Sequence, residues 1–207
     1  MKELFLKCSF LLIFSLSTII NTRGNDSLKY SFSFNFYSDL SDTYLGGSLI
    51  MGEFAVNRTW YGASLAYGHF ISQSTFKFRI IVEEISKTVD IPIEEMAIMQ
   101  MGTLSIFIRP IQKRWINTDI LFGVAIANAK SSILESVYYN YSFAENRFTY
   151  LYRDYQLVKR THFGYQAGFN ISFFPVQKFG IQLNSRIQHL NNGGSFFFVG
   201  SGIIFRL

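Results

Sequence analysis

Residues 162–174 read HFGYQAGFNISFF, in which His162, Gly164, Gln166, Gly168, Asn170 and Ser172 alternate with Phe163, Tyr165, Ala167, Phe169, Ile171 and Phe173. Successive side chains of an extended chain point to opposite faces, so this period of two predicts a β-strand. A half-buried strand of a water-soluble protein turns its aromatics to a core and its charges to solvent. Here the second face holds Gly, Gln, Asn and Ser, which is a poor exterior for water.

The same alternation recurs along the chain. In KYSFSFNFY (29–37), Tyr30, Phe32, Phe34 and Phe36 oppose Ser31, Ser33 and Asn35. Segments 60–70, 115–128 and 179–188 repeat it with Tyr, Leu, Ile and Phe against Gly, Ser, Ala, Asn and Gln. LGGSLIMGEF (45–54) and AIMQMGTLSIFI (97–108) alternate less cleanly, and SFFFVGSGIIFRL (195–207) supplies a last strand. These are eight candidate strands, and about 9–11 residues suffice to cross a bilayer at the usual tilt. Short connections at 56–58, 110–114 and 175–178 alternate with LSDT (40–43), long segments at 72–95 and 130–159, and NNGG (191–194).

Charge decides which face meets the surroundings. Soluble surfaces carry about 25–35% charged residues, whereas the polar faces of these segments hold little beyond Lys29, Glu53, Asp119, Arg186 and Arg206. The aromatics are therefore expected to face lipid, and the Gly, Ser, Asn and Gln residues to fill the inside of a narrow barrel. Gly62, Gly123, Gly164, Gly168 and Gly200 would relieve crowding there. Arg186 needs a counter-charge if buried, and Asp119 and Glu53 are the candidates, with Gln182, Gln188, Asn117 and Asn184 completing a polar plug. An open pore does not fit so narrow a barrel. The expected fold class is all-β, an antiparallel transmembrane barrel of eight strands with 132–160 as a hairpin carrying strands five and six beyond the membrane, or of ten strands if that hairpin enters the wall.

Residues 1–24 suggest a secretory leader. Lys2 and Lys7 precede the apolar run 9–20, which is shorter than the roughly 20 residues of a spanning helix, and cleavage after Gly24 leaves a barrel domain over 25–207. Cys8, the one cysteine of the chain, falls inside that leader. A formal net charge of +5 over 207 residues is too small a bias to suggest nucleic acid as a partner. Trp60 and Trp115 stand beside short turns, where an indole suits a membrane interface.

The alternation, the glycine placement and a final strand ending in FRL resemble the small eight-stranded outer-membrane barrels of Gram-negative bacteria, the OmpA-like and Bacteroidetes-type barrel domains. The resemblance implies a cell outer membrane location with both termini periplasmic, outer-membrane lipid and lipopolysaccharide around the wall, and the barrel assembly machinery as a folding partner. Leu207 stands where those families usually end in Phe, although Phe205 keeps an aromatic in phase.

QHLNNGG (188–194) is similar to the end of the seventh strand of lipid A deacylases, with His189 facing lipid near the outer rim. The nucleophile position is Asn191, which has no hydroxyl to activate. No Asp or Glu occurs from Gln156 to Leu207, so the orienting carboxylate is missing as well. His69 and His189 share the outward register and His162 the inward one, which gives no zinc set. Glu83, Glu84, Glu94 and Glu95 suit a hard cation or simply a solvated loop. No catalytic residue, cofactor or metal ligand is therefore assigned. The functional expectation falls instead on 130–159, where Tyr-rich strands around AEN sit beside Arg147, Arg153, Lys159 and Arg160 and suit an extracellular or envelope ligand. The expected role is structural, adhesive or binding through extracellular loops. A lipid-modifying enzyme or a small transport channel is the alternative.

Overall fold

The computed structural model describes residues 28–41, 47–82, 87–142, 144–145 and 147–207, with backbone alone over 80–82 and 87–89. The leader expected over 1–24, with Cys8, lies outside the described residues, as do Glu83 and Glu84. Eight strands follow in order: β1 (Lys29–Asp39), β2 (Ser48–Asn57), β3 (Tyr61–Val82), β4 (Lys87–Gln112), β5 (Ile116–Ser142), β6 (Arg147–Val176), β7 (Phe179–Leu190) and β8 (Gly194–Arg206). Each pairs antiparallel with its sequence neighbours, and β1 closes on β8 from Ser31 opposite Arg206 to Asp39 opposite Phe198. The eight-stranded expectation holds, and the ten-stranded alternative does not occur.

The segment 72–95, expected as a long loop, is strand, and 132–160 takes the hairpin form expected of it, carrying β5 and β6 beyond the barrel wall. β3 to β6 run for 22, 26, 27 and 30 residues, against 10 to 13 for the other four. Residues 72–95 and 130–159 therefore continue the wall strands as two antiparallel hairpins, each closed by a four-residue connection, 83–86 and 143–146. The physical reason is that an extended hairpin pairs its own backbone N–H and C=O groups, which a long loop leaves open. Two of the three prolines mark irregularities near the opposite, short-turn end. Pro110 and Pro175 lie where the β4–β5 and β6–β7 registers shift, as expected of residues that cannot donate to a ladder.

Inside and outside follow the sequence pattern. Ser31, Ser33 and Asn35 are buried in the lumen, while outward neighbours such as Phe36 (55% exposed), Phe122 (56%) and Ile106 (67%) form an apolar exterior around the barrel. Such a surface greatly exceeds the few hundred Å² of apolar patch found on soluble monomers and matches the lipid-facing band of a transmembrane barrel. Its two edges are marked. Trp60 and Trp115 are exposed beside the short turns. At the other edge, register aligns His69, Gln100, Asn128 and Thr161 in one outward row across β3 to β6, with Thr161 Oγ1 donating to Asn128 Oδ1 at 2.9 Å.

The lumen has two tiers, where the sequence suggested one. Toward the short turns it is polar. Arg186, buried, pairs with Glu53, Arg109 donates to both oxygens of Asp119 at 2.6 and 3.1 Å, and Asn184 and Gln166 reach Asn35 and Ser105. Asp119 is thus the partner of Arg109 rather than of Arg186. Toward the long hairpins the filling is apolar: Leu49, Met51, Phe70, Met99, Met101, Phe196 and Phe198 are all buried. The expectation of a lumen filled only by small and polar residues is corrected there, because a row of polar groups faces outward at the membrane edge and the alternation inverts. Arg186 spans the boundary, with Nη1 3.2 Å from Met51 Sδ and its guanidinium 5.3 Å above the Tyr37 ring.

Glycine admits close backbone approach where the wall is tightest. A Cβ at Gly164 would lie 1.8 Å from the His189 carbonyl oxygen, and one at Gly200 would lie 2.0 Å from that of Phe36.

Candidate binding surface

Beyond the outward row of His69 and Asn128 the two long hairpins leave the wall but not each other. The β4–β5 ladder ends at Met96 opposite Ser132, after which β3–β4 and β5–β6 continue as separate two-stranded ribbons. Ile91 and Ile93 of the first are 2% and 0% exposed, with Leu134, Val137, Tyr141, Phe148 and Leu151 of the second packed against them. Phe148 adds edge-to-face contacts with Tyr139 at 5.7 Å and Tyr141 at 5.3 Å. A single ribbon is marginal in water, and this shared core lets both stand as one body. Irregularities at Leu134/Ser136 and Asn140/Tyr141 let the β5–β6 ribbon bend over its partner.

The outward side of the β5–β6 ribbon is tyrosine. Tyr138 and Tyr152 are cross-strand partners with ring centroids 6.3 Å apart, and Tyr150 joins them with 56% exposure. Such rings give contact area at small conformational cost. Of the basic residues beside them, Arg147 is engaged by Glu145 at 2.5 Å, while Lys159 and Arg160 are exposed. Register places Lys130 directly opposite Lys159, just beyond the outward row. Like charges directly opposite destabilise a sheet, and among the described residues neither lysine has a carboxylate partner. Sequence alone did not single out Lys130. Only the register brings it to Lys159.

Among the described residues, no three His, Cys, Asp or Glu side chains gather as a metal site. Glu94 and Glu95, as neighbours in β4, point to opposite faces, and Glu95 Oε1 accepts from the Leu134 backbone N–H at 3.4 Å. His162 faces the lumen with Nδ1 3.0 Å from the Asn191 carbonyl oxygen, on the opposite face of the wall from outward His69 and three strands away. Asn191 and Asn192 form the β7–β8 turn, with Asn192 at φ 59° and Gly193 N–H donating to Leu190 O at 2.9 Å. His189, outward as expected, lies beside the Tyr165 ring with centroids 5.2 Å apart and has Nδ1 2.9 Å from Ser195 Oγ. Ser195 was missed because it is six residues away in sequence and is brought close only by the hairpin. Among the described residues no carboxylate is bonded to His189, so the imidazole has a hydroxyl neighbour without an orienting group.

The barrel is similar to solved structures of outer-membrane proteins. The N-terminal barrel domain of Pseudomonas aeruginosa OprF matches over 86% of this chain and 97% of that one, with TM-score 0.52 and 10% identity. Ail of Yersinia pestis, in complex with the heparin analogue sucrose octasulfate, matches over 87% and 97%, with TM-score 0.51 and 11% identity. A major outer membrane protein of Thermus thermophilus matches over 86% and 99%, with TM-score 0.50 and 11% identity. No family model and no curated protein matches the sequence. At these identities the likeness is one of fold, and the fold is that of the small eight-stranded outer-membrane β-barrels.

Proposed function

We propose that the chain is an integral outer-membrane protein whose barrel is a closed anchor and whose role is binding, performed at the cell surface by the paired hairpins. The observation that carries this reading is the shared core of Ile91 and Ile93 with Leu134, Val137 and Leu151, which holds a tyrosine face rigid beyond the wall. The filled lumen supports an anchor over a channel: Arg186, Phe70 and Phe198 are each at most 1% exposed across it. The short turns and both termini then lie in the periplasm, the arrangement usual for such barrels. Phe205, outward on the last strand, is the signal that the barrel assembly machinery would read.

Lys130 and Lys159, side by side at the membrane edge, suit lipopolysaccharide phosphates and sulfated or phosphorylated surface ligands generally. A heparin analogue bound to the similarly folded Ail supports that ligand class.

The test replaces 134–157 with a short turn and changes Ile91 and Ile93 to Thr so that the remaining ribbon stays soluble. The expected outcome is a barrel that inserts and keeps heat-modifiable migration but no longer retains cell-surface partners, whereas heparin binding is lost only when the retained Lys130 and Lys159 are also changed to Gln. Retention of every partner by the trimmed protein sinks the binding reading.

A second reading, a lipid-modifying hydrolase, has the 2.9 Å contact of His189 with Ser195 in its favour. It predicts a lipid-cleaving activity in purified protein that Ser195→Ala abolishes, and a protein inert toward outer-membrane lipids removes it.

A further inference from the structure

The lumen opens at its short-turn end into a vestibule of about 380 Å³. Lys29, Arg109, Lys113, Arg114 and Arg206 line it, and among the described residues no acidic side chain does. Asp119, just above, neutralises Arg109 through the paired hydrogen bonds already described. The other four cations have no carboxylate partner among the described residues. Their convergence is built into the fold. Lys29 begins β1, Lys113 and Arg114 form the β4–β5 turn, and Arg206 ends β8.

Arg206 is held in place rather than free in solvent. Its guanidinium carbon sits 3.3 Å from the centroid of the Phe174 ring, and Nη2 donates to the Asn117 side-chain oxygen at 3.0 Å when that amide is turned to satisfy both its ends. Cation–π stacking uses the face of a guanidinium and leaves edge N–H donors to spend. A concavity with one sign of charge and low-dielectric walls concentrates field and draws counter-ions. Ordinary ligand pockets begin at about 300 Å³, so this one is large enough for a small anionic group. Four cations exceed what one carboxylate would need, whereas two guanidinium forks beside two ammonium groups match the several oxygens and multiple charge of a phosphoryl group.

We propose that this vestibule is a binding site for a phosphorylated ligand, gripped by Arg206 and Arg114 with Lys29 and Lys113 as supporting charges. It is separate from the hairpin surface, which lies at the opposite end of the barrel. The phosphoryl group comes either from a lipid headgroup of the adjoining leaflet or from a soluble molecule, and the experiment distinguishes the two.

The chain has two tryptophans, so Trp60→Phe leaves Trp115, next to Arg114, as sole reporter. Inorganic pyrophosphate is titrated into the detergent-solubilised full chain at physiological salt, with heat-modifiable migration confirming that each variant is folded. The expected result is a saturable fluorescence change, weakened about tenfold or more when Lys29, Lys113 and Arg114 are all changed to Gln, since one charge-assisted hydrogen bond alone accounts for roughly that factor. The matched triple Lys130→Gln, Lys159→Gln, Arg160→Gln at the other end should leave it unchanged. No saturable response, indifference to the vestibule triple, or equal loss in both triples overturns the site. In bilayer discs charge-matched with phosphatidic acid or with oleate, block of pyrophosphate by phosphatidic acid alone supports the site with a lipid source. Undiminished binding in both supports it with a soluble source.

Discussion

The two tiers of the lumen solve one filling problem with opposite chemistry. The tier toward the hairpins is a cluster of aromatic and thioether side chains, with Phe196 stacked on Phe198 at 5.5 Å and Phe70 edge-on to both. The tier toward the short turns is a set of paired ions and amides centred on Arg186, Glu53, Arg109 and Asp119. An apolar tier tolerates exchange of volume for volume. An ionic tier does not tolerate losing one member, because the partner is left charged in a low dielectric. The same barrel should therefore respond to mutation in two different ways at two heights.

The largest effect belongs to Glu53→Gln. It strands Arg186, 1% exposed, and should cost about 3–5 kcal/mol in urea unfolding of the detergent-solubilised barrel. Adding Arg186→Met should recover most of that loss, because the unpaired charge is gone. Equal destabilisation by the single and the double variant breaks the contrast and makes the ionic tier a matter of packing.

Next comes Phe198→Ala. The cavity should cost about 3 kcal/mol, toward the lower end for such truncations, because Met51, Met99 and Met101 of the same cluster are flexible enough to fill part of the gap. No second-site change at a distant ion should rescue it. Rescue by a Met101→Phe refill, seen as a recovered unfolding midpoint, sharpens the contrast further.

Outside the lumen, Phe169→Arg places a cation on the lipid-facing wall, where the native ring is 39% exposed. A cost of about 2–4 kcal/mol is expected near the bilayer midplane, measured as unfolding in lipid vesicles. Unchanged stability there places Phe169 outside the apolar band.

How much of this was legible follows from where the alternation keeps its polarity. HFGYQAGFNISFF showed strand and faces at once because most of it lies within the band, with lipid on one side and a polar tier on the other. AIMQMG reads less cleanly because it crosses the edge. Gln100 turns outward in the row with His69 and Asn128, and Met99 and Met101 turn inward. Three consecutive phenylalanines at 196–198 hide the same inversion, since either phase fits. The hairpin 72–95 carries a period of two in FKFR and DIPIEE, but its charged face looks like a solvated loop. What covers Ile91 and Ile93 is a ribbon some forty residues away in sequence, and no local pattern announces that. Glu53 was anticipated as a partner of Arg186. Arg109 was not, because Pro110 beside it suggests a turn, whereas the register shift there keeps Arg109 pointing into the lumen beside Asp119.

The smallest effect comes from repeating the lumen's chemistry in water. Arg79 and Asp90 face each other across the β3–β4 ribbon at 3.2 Å, with side chains 69% and 37% exposed. They are the same pair of residue types that join Arg109 to Asp119, in a setting where the solvent screens the attraction and both side chains keep their hydration. Exposed pairs are worth about 0–1 kcal/mol, so Asp90→Asn should shift ribbon stability by less than that, read as hydrogen-exchange protection of the β3–β4 amides. The shift should shrink further as salt is raised, because exposed charges are screened within about 10 Å at 0.1 M ionic strength. The Glu53→Gln cost, by contrast, should be nearly independent of salt, since mobile ions do not enter a filled lumen. A large, salt-insensitive loss at Asp90 would mean that the ribbons bury their ion pairs as the barrel does, and that the projecting body is a second core rather than a surface held out into solution.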